Sequence, residues 1–119
     1  MTRRIVVLGA GTAGTMAANR LARRLTDQIR SGELEILLIS NGEKHIYQPG
    51  YLYIVFNEKA PEHFIRREKD LVHRDVKLIF DEVRKIELGQ NRVLSNEDEY
   101  PYDYLIIATG SRPDFRSVP

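Results

Sequence analysis

The run Ile5-Val6-Val7-Leu8-Gly9-Ala10-Gly11-Thr12-Ala13-Gly14 constrains this chain more than any other stretch. Ile5 to Leu8 reads as a buried strand, and the glycines follow it without a break. A helical pattern begins at once behind them, with the small pair Ala17-Ala18 near its start. Strand, glycine turn and helix in that order form the G-x-G-x-x-G dinucleotide-binding fingerprint in the context it requires. Gly9 serves the tight turn out of the strand. Gly11 lets backbone approach a pyrophosphate without a Cβ between them, and Gly14 lets helix and strand pack closely. Thr12 and Ala13 then open a helix whose unpaired N–H groups and positive dipole end face the phosphates.

The rest of the chain extends this into an α/β unit. Ala18, Leu21, Ala22, Leu25 and Ile29 fall on one helical stripe, predicting an amphipathic crossover helix that Ser31-Gly32 stops. Glu35 to Ile39 is a near-continuous apolar run, the signature of a parallel strand covered on both faces. Strand, helix and strand make a right-handed βαβ unit. An acidic residue normally ends that second strand and holds the ribose hydroxyls. Ser40-Asn41-Gly42-Glu43 stands there instead, so a hydroxyl or an amide takes the place of a carboxylate, with Glu43 in reach if the loop folds back. No arginine sits beside Ser40 to select a 2′-phosphate, which argues against NADP.

His45 to Phe56 is rich in aromatics around a Pro49-Gly50 turn. Gln48 and Pro49, in the loop, are the candidates to meet a planar cofactor ring, whereas Leu52, Ile54 and Phe56 read equally well as a wedge in the core. A short helix is expected through Arg67 to Val72. His63 and His73 match no metal-ligand spacing and read as surface or cap residues. Val76 to Phe80 predicts a third strand. Asp81 to Leu88 and Arg92 to Leu94 flank Gly89-Gln90-Asn91 as a β-hairpin, and Asn96 to Glu99 forms an exposed acidic tip. Tyr102 to Ile107 is a final strand that ends in Ala108-Thr109-Gly110, small residues that allow a second close backbone approach.

Composition narrows the function. A chain of 119 residues holds one domain at most. Eighteen basic residues against seventeen acidic ones leave +1, no field for nucleic acid, and the doublets Arg3-Arg4, Arg23-Arg24 and Arg66-Arg67 read as solvated faces. No apolar run approaches the roughly 20 residues of a membrane span. Without cysteine, these residues carry no disulfide, no zinc-thiolate site and no thiol chemistry, and a cytoplasmic location is expected. No residue stands out as a general acid, base or nucleophile.

Taken together, the chain resembles the flavoproteins of the pyridine nucleotide-disulfide oxidoreductase class. The resemblance rests on Gly9 to Gly14 near the N-terminus, an antiparallel excursion, and the Tyr102 to Gly110 stretch. Thr12 in the fingerprint, Leu38-Ile39-Ser40-Asn41 at the end of strand two, and Tyr47-Gln48-Pro49 look most like sulfide:quinone oxidoreductases and flavocytochrome c sulfide dehydrogenases. Type II NADH:quinone dehydrogenases are close relatives. The resemblance implies a Rossmann-like parallel sheet with an antiparallel β excursion, and FAD as the cofactor. Gly9, Gly11, Thr12, Ala13 and Gly14 would cradle its pyrophosphate, and Ser40 and Asn41 would meet the adenosine ribose. Val83 would offer backbone groups to the adenine. Ala108, Thr109 and Gly110 would form the second approach, and Gln48 and Pro49 would lie toward the flavin.

Proteins of this class are much longer, so residues 1–119 are expected to be the N-terminal part of an incomplete FAD-binding domain. A small-molecule donor, a quinone and any peripheral membrane contact would then be met by other parts of a longer parent. A sheet that lacks its last strand has an open edge, from which pairing of two copies into a homodimer is expected. A rival from another class is a non-catalytic module that binds NAD with the same βαβ unit. Ala108-Thr109-Gly110 argues against it, because a simple NAD domain has no need of that strand end.

Overall fold

The computed structural model describes residues 1–46, 55–57, 59–111, 114 and 116. Its centre is a parallel four-stranded sheet built from β1 (Arg3–Leu8), β2 (Leu34–Ser40), β5 (Lys77–Phe80) and β9 (Tyr104–Ile107), in the order β5-β2-β1-β9. Val6 sits opposite Leu37 on one side and Leu105 on the other. Helices α1 (Thr12–Arg24) and α2 (Thr26–Arg30) connect β1 to β2. The antiparallel excursion is a separate three-stranded sheet of β6 (Val83–Glu87), β7 (Arg92–Ser95) and β8 (Glu99–Pro101). A small hairpin of β3 (Lys44–Ile46) and β4 (Ile65–Arg67) stands beside the glycine turn.

Strand periodicity explains why both faces of the sheet are apolar. Along β1 and β2, Ile5, Val7, Ile36 and Leu38 project to one side and pack on Ala18 and Ala22 of α1. Val6, Leu8, Leu37 and Ile39 project to the other and meet Val93 and Tyr100 of the three-stranded sheet. Successive side chains alternate faces, so a strand buried on both sides has no room for polar residues. The small alanines on α1 bring the helix close to the sheet, as the sequence stripe requires.

Several elements depart from the sequence reading. The crossover helix is broken at Leu25 (φ −111°, ψ 24°). There Thr26 turns its hydroxyl back onto the carbonyls of Ala22 and Arg23, at 2.9 and 3.1 Å, a local bond that competes with the helical ladder. Gly32, at φ +85°, ends the second piece as expected. The helix foreseen from Arg67 is a single turn, Glu68–Leu71, preceded by β4. The last strand starts at Tyr104: the Tyr102 N–H donates to the Asn91 carbonyl, and Asp103 meets β1 by donating its N–H to the Arg4 carbonyl while its carboxylate accepts from the Arg4 N–H. Phe56 is exposed rather than wedged in the core. Leu52 and Ile54 lie outside the described residues. His73 accepts a hydrogen bond from the Asp75 N–H and closes a turn, and His63 is exposed. β9 is an edge strand, with Tyr104 and Ile107 exposed.

Arg4 is only partly solvated, its side chain 32% exposed. With Lys77 it holds the Glu35 carboxylate, tying β1, β2 and β5 together at one end, and the Lys77 contact is 2.6 Å. Burial works to raise the Glu35 pKa, but the bonds from Lys77 and Arg4 outweigh it and hold the group below its ordinary 4.5. A depressed carboxylate contributes stability in full above its unfolded pKa and loses it as the pH falls through the folded value. Glu35→Gln is therefore expected to cost about 1 kcal/mol at pH 7. The difference from wild type should shrink in thermal melts as the pH drops below 4.5.

Candidate functional site

The carboxyl ends of β1, β2 and β9 open into a cleft of about 630 Å³. Gly9, Gly11, Thr12 and Ala13 form its floor, Ser40, Asn41 and Lys44 one wall, and Ala108, Thr109 and Gly110 the other. A smaller cavity of about 200 Å³ adjoins it through Gly9, Asn41 and Thr109 and reaches Val83. Of the thirteen residues the sequence singled out, these two cavities gather ten. Gly14 sits behind the floor, and Gln48 and Pro49 lie outside the described residues. Glu43 is exposed and stays out of the cleft lining.

Three glycines perform three tasks. Gly9 has φ +94°, and a Cβ there would come within 2.3 Å of the Ala108 carbonyl oxygen. A Cβ on Gly14 would stand 1.7 Å from the Gly9 oxygen. These two residues are glycine because protein backbone occupies the space. Gly11 differs, since its extended backbone (φ −76°, ψ −161°) suits any residue and, among the described residues beyond its chain neighbours, a Cβ would meet no atom within 4 Å. Among the described residues, its side of the turn is bordered by the cleft.

The same contacts explain Ala108-Thr109-Gly110. Ala108 donates its N–H to the Leu8 carbonyl at 2.8 Å, while Gly9 donates to Ile39 at 2.9 Å. The partner of the second close approach is therefore first of all Gly9. Thr109 is exposed and borders both cavities.

Above the floor, α1 begins with Gly11 at the N-cap and no acidic side chain in its first turn. The first turn of α1 thus carries no carboxylate of its own beside the positive end of the helix dipole, which suits an anion on the cleft side. The Ser40 hydroxyl is occupied locally: it donates to the Gly42 carbonyl at 2.6 Å and accepts from the Gly42 N–H at 3.2 Å. It shapes the turn, leaving Asn41 exposed at the cleft rim.

Two features were missed in the sequence. Asp81 borders the smaller cavity, and hydrogen bonds from Ser95 and from Tyr100 hold its carboxyl below the usual range. Burial, together with that 2.7 Å bond to Asp81, pushes the Tyr100 hydroxyl up to about 12. The second feature is a buried cluster behind the glycine turn. Glu68, 1% exposed, takes a 2.5 Å hydrogen bond from the Thr15 hydroxyl and lies 2.9 Å from His45 Nδ1. Nothing in the sequence signals it, because Thr15, His45 and Glu68 come from three separate elements.

A further cavity, about 610 Å³, lies at the opposite ends of the strands between Arg3, Leu25, Leu34 and Tyr104. It lacks a glycine turn or a helix N-terminus, and open α/β sheets bind ligands at the carboxyl ends of their strands. Among the described residues there is no group of three or more His, Asp or Glu able to hold a metal ion.

The sequence matches the pyridine nucleotide-disulphide oxidoreductase family over residues 3–119. The chain belongs to that family. It is 27% identical over 115 residues to mitochondrial sulfide:quinone oxidoreductase of Mus musculus, covering 96% of this chain and 24% of the relative. It is 34% identical over 117 residues to terpredoxin reductase of a Pseudomonas species, covering 95% and 27%. With type II NADH:quinone oxidoreductase of Staphylococcus haemolyticus it shares 31% over 110 residues, covering 91% and 26%. In fold it superposes on the crystal structure of the Aquifex aeolicus sulfide:quinone oxidoreductase with a TM-score of 0.80 at 24% identity, over 96% of this chain and 26% of that one. The chain spans about a quarter of the length of these proteins.

The contrast among the glycines yields a direct test. Gly14→Ala forces a methyl into the Gly9 carbonyl and should lower the thermal midpoint by on the order of 10 °C. Gly11→Ala should melt within a few degrees of wild type, followed by circular dichroism.

Proposed function

We propose that residues 1–119 are the N-terminal part of an FAD-binding domain, in a flavin-dependent oxidoreductase that passes electrons from sulfide to a quinone. The observation that carries the cofactor reading is Gly11. Neither its backbone angles nor its protein neighbours call for glycine, whereas a pyrophosphate lying on the turn does. Among dinucleotides, FAD is favoured by the resemblance of Thr12, Leu38 to Asn41 and Tyr47-Gln48-Pro49 to sulfide-oxidising flavoproteins.

In this reading the N–H groups of Thr12 and Ala13 and the positive end of α1 hold the pyrophosphate. Asn41 bonds the ribose hydroxyls on a turn shaped by Ser40, and Val83 borders the adenine in the smaller cavity. Thr109 and Gly110 close the opposite wall. Gln48 and Pro49 are assigned to the flavin side by the resemblance alone. When bound, FAD supplies the two-electron carrier between donor and acceptor, and the protein supplies position and charge. None of the residues named here acts as a general acid, base or nucleophile.

Sulfide as donor is supported by the likeness to the mouse and Aquifex proteins. A second reading, electron transfer from NADH to quinone, is favoured by the 31% identity to the staphylococcal enzyme. Among the described residues no helix is long and apolar enough to cross a membrane.

Titration of the chain with FAD should quench flavin fluorescence, and Gly11→Val should abolish the response while leaving the circular dichroism melt unchanged. A response to NADH without one to FAD would overturn the FAD assignment in favour of an NAD module. In a longer parent, bleaching of the flavin absorbance by sulfide rather than by NADH separates the two donors.

A further inference from the structure

We infer that His45 is an anion-directing residue of the cleft and that buried Glu68 is the positioning residue that orients and charges it. The inference rests on the dinucleotide reading of the cleft and adds a phosphate contact outside the glycine fingerprint.

The hydrogen bonds fix the ring. His45 Nδ1 lies 2.9 Å from Glu68 Oε2 and 3.2 Å from the Ala10 carbonyl oxygen. The carbonyl can only accept, so Nδ1 carries a proton and donates. The His45 side chain is 14% exposed and lines the cleft, and Nε2 has no hydrogen-bond partner among the described residues. One nitrogen is thus tied down behind the turn and the other is left for the cleft.

The charge follows from Glu68. Its side chain is 1% exposed, and its ionic partner among the described residues is His45. A buried carboxylate without a cation is costly, and buried charges in proteins are paired. The Thr15 hydroxyl sits 2.5 Å from Glu68 Oε1, within the range of a hydroxyl donating to an ionised oxygen. An anionic Glu68 with a cationic His45 satisfies both distances.

The other charges around the pair agree with an anion in front of it. Lys44 lines the same cleft, and α1 presents its positive end with no acidic residue in the first turn. Arg66, opposite His45 in the hairpin register, directs its guanidinium to the carbonyls of His63 and Ile65. Glu43 reaches Glu68 only through its backbone carbonyl, which accepts from the Glu68 N–H at 2.7 Å. Positive charge at His45 is therefore balanced by Glu68 behind and by phosphate in front.

ADP and adenosine separate this contact from general packing, because they differ only in the diphosphate. Calorimetric titration of the full chain should show that His45→Gln weakens ADP binding by about tenfold, the worth of one charged hydrogen bond, and leaves adenosine unchanged. Glu68→Gln keeps the shape of the side chain and one accepting oxygen for His45 but removes its charge and turns the other oxygen into a donating amide, and should lose ADP affinity by a similar factor. In wild type, two-bond nitrogen–proton spectra should show both His45 nitrogens protonated when ADP is bound. Wild-type ADP affinity in either variant, equal loss of ADP and adenosine, or a neutral His45 ring in the ADP complex would overturn the inference. A wild-type chain that binds neither FAD nor ADP would instead overturn the dinucleotide reading on which it stands.

Discussion

The contact on which this fold turns is backbone against backbone, where Gly9 passes under the Ala108 carbonyl and over Gly14. With side chains at these points, the first strand would be pushed away from both the last strand and the crossover helix. The space that a Cβ on Gly9 or Gly14 would need is already filled, to 2.3 Å and 1.7 Å. Because β1 is an inner strand, between β2 and β9, this packing also sets where the carboxyl ends of β1, β2 and β9 converge. The cleft lies at that convergence, so stability and site are built from the same few atoms.

Those atoms also divide the fingerprint into parts. Gly9 and Gly14 answer to protein packing, and Gly11 answers to the cleft. A glycine repeat is usually read as one motif with one purpose. Here two of its members would be needed in an empty scaffold, and the third has a purpose only when something lies on the turn. The positive end of α1 acts in the same direction, with no first-turn carboxylate to neutralise it.

The parallel core was legible in the sequence because strands buried on both faces leave unbroken apolar runs, as at Ile5 to Leu8 and Ile36 to Ile39. The glycine turn and Ala108-Thr109-Gly110 were legible because close approach demands small residues. What escaped depends on contacts between distant elements. The break at Leu25 arises from one threonine hydroxyl folding back on its own helix, which the apolar stripe through Ile29 conceals. The hairpin of β3 and β4 joins segments some twenty residues apart, and each of its strands has only three residues, too short for a periodic signal. The same hairpin carries His45 to Glu68, so the buried pair was invisible for the same reason. Ser40 was legible as a cleft residue, but its engagement with Gly42 depends on a turn geometry that residue type does not specify.

The central claim is that a dinucleotide lies at the carboxyl end of the parallel sheet, over Gly11. The most direct measurement is a set of amide nitrogen–proton correlation spectra of the chain with and without FAD. Shifts concentrated at Gly11 to Ala13, Asn41 and Thr109-Gly110, with little change at the opposite ends of the strands, are the predicted result. Shifts centred instead on Leu25, Leu34 and Tyr104, around the opposite cavity, would contradict it.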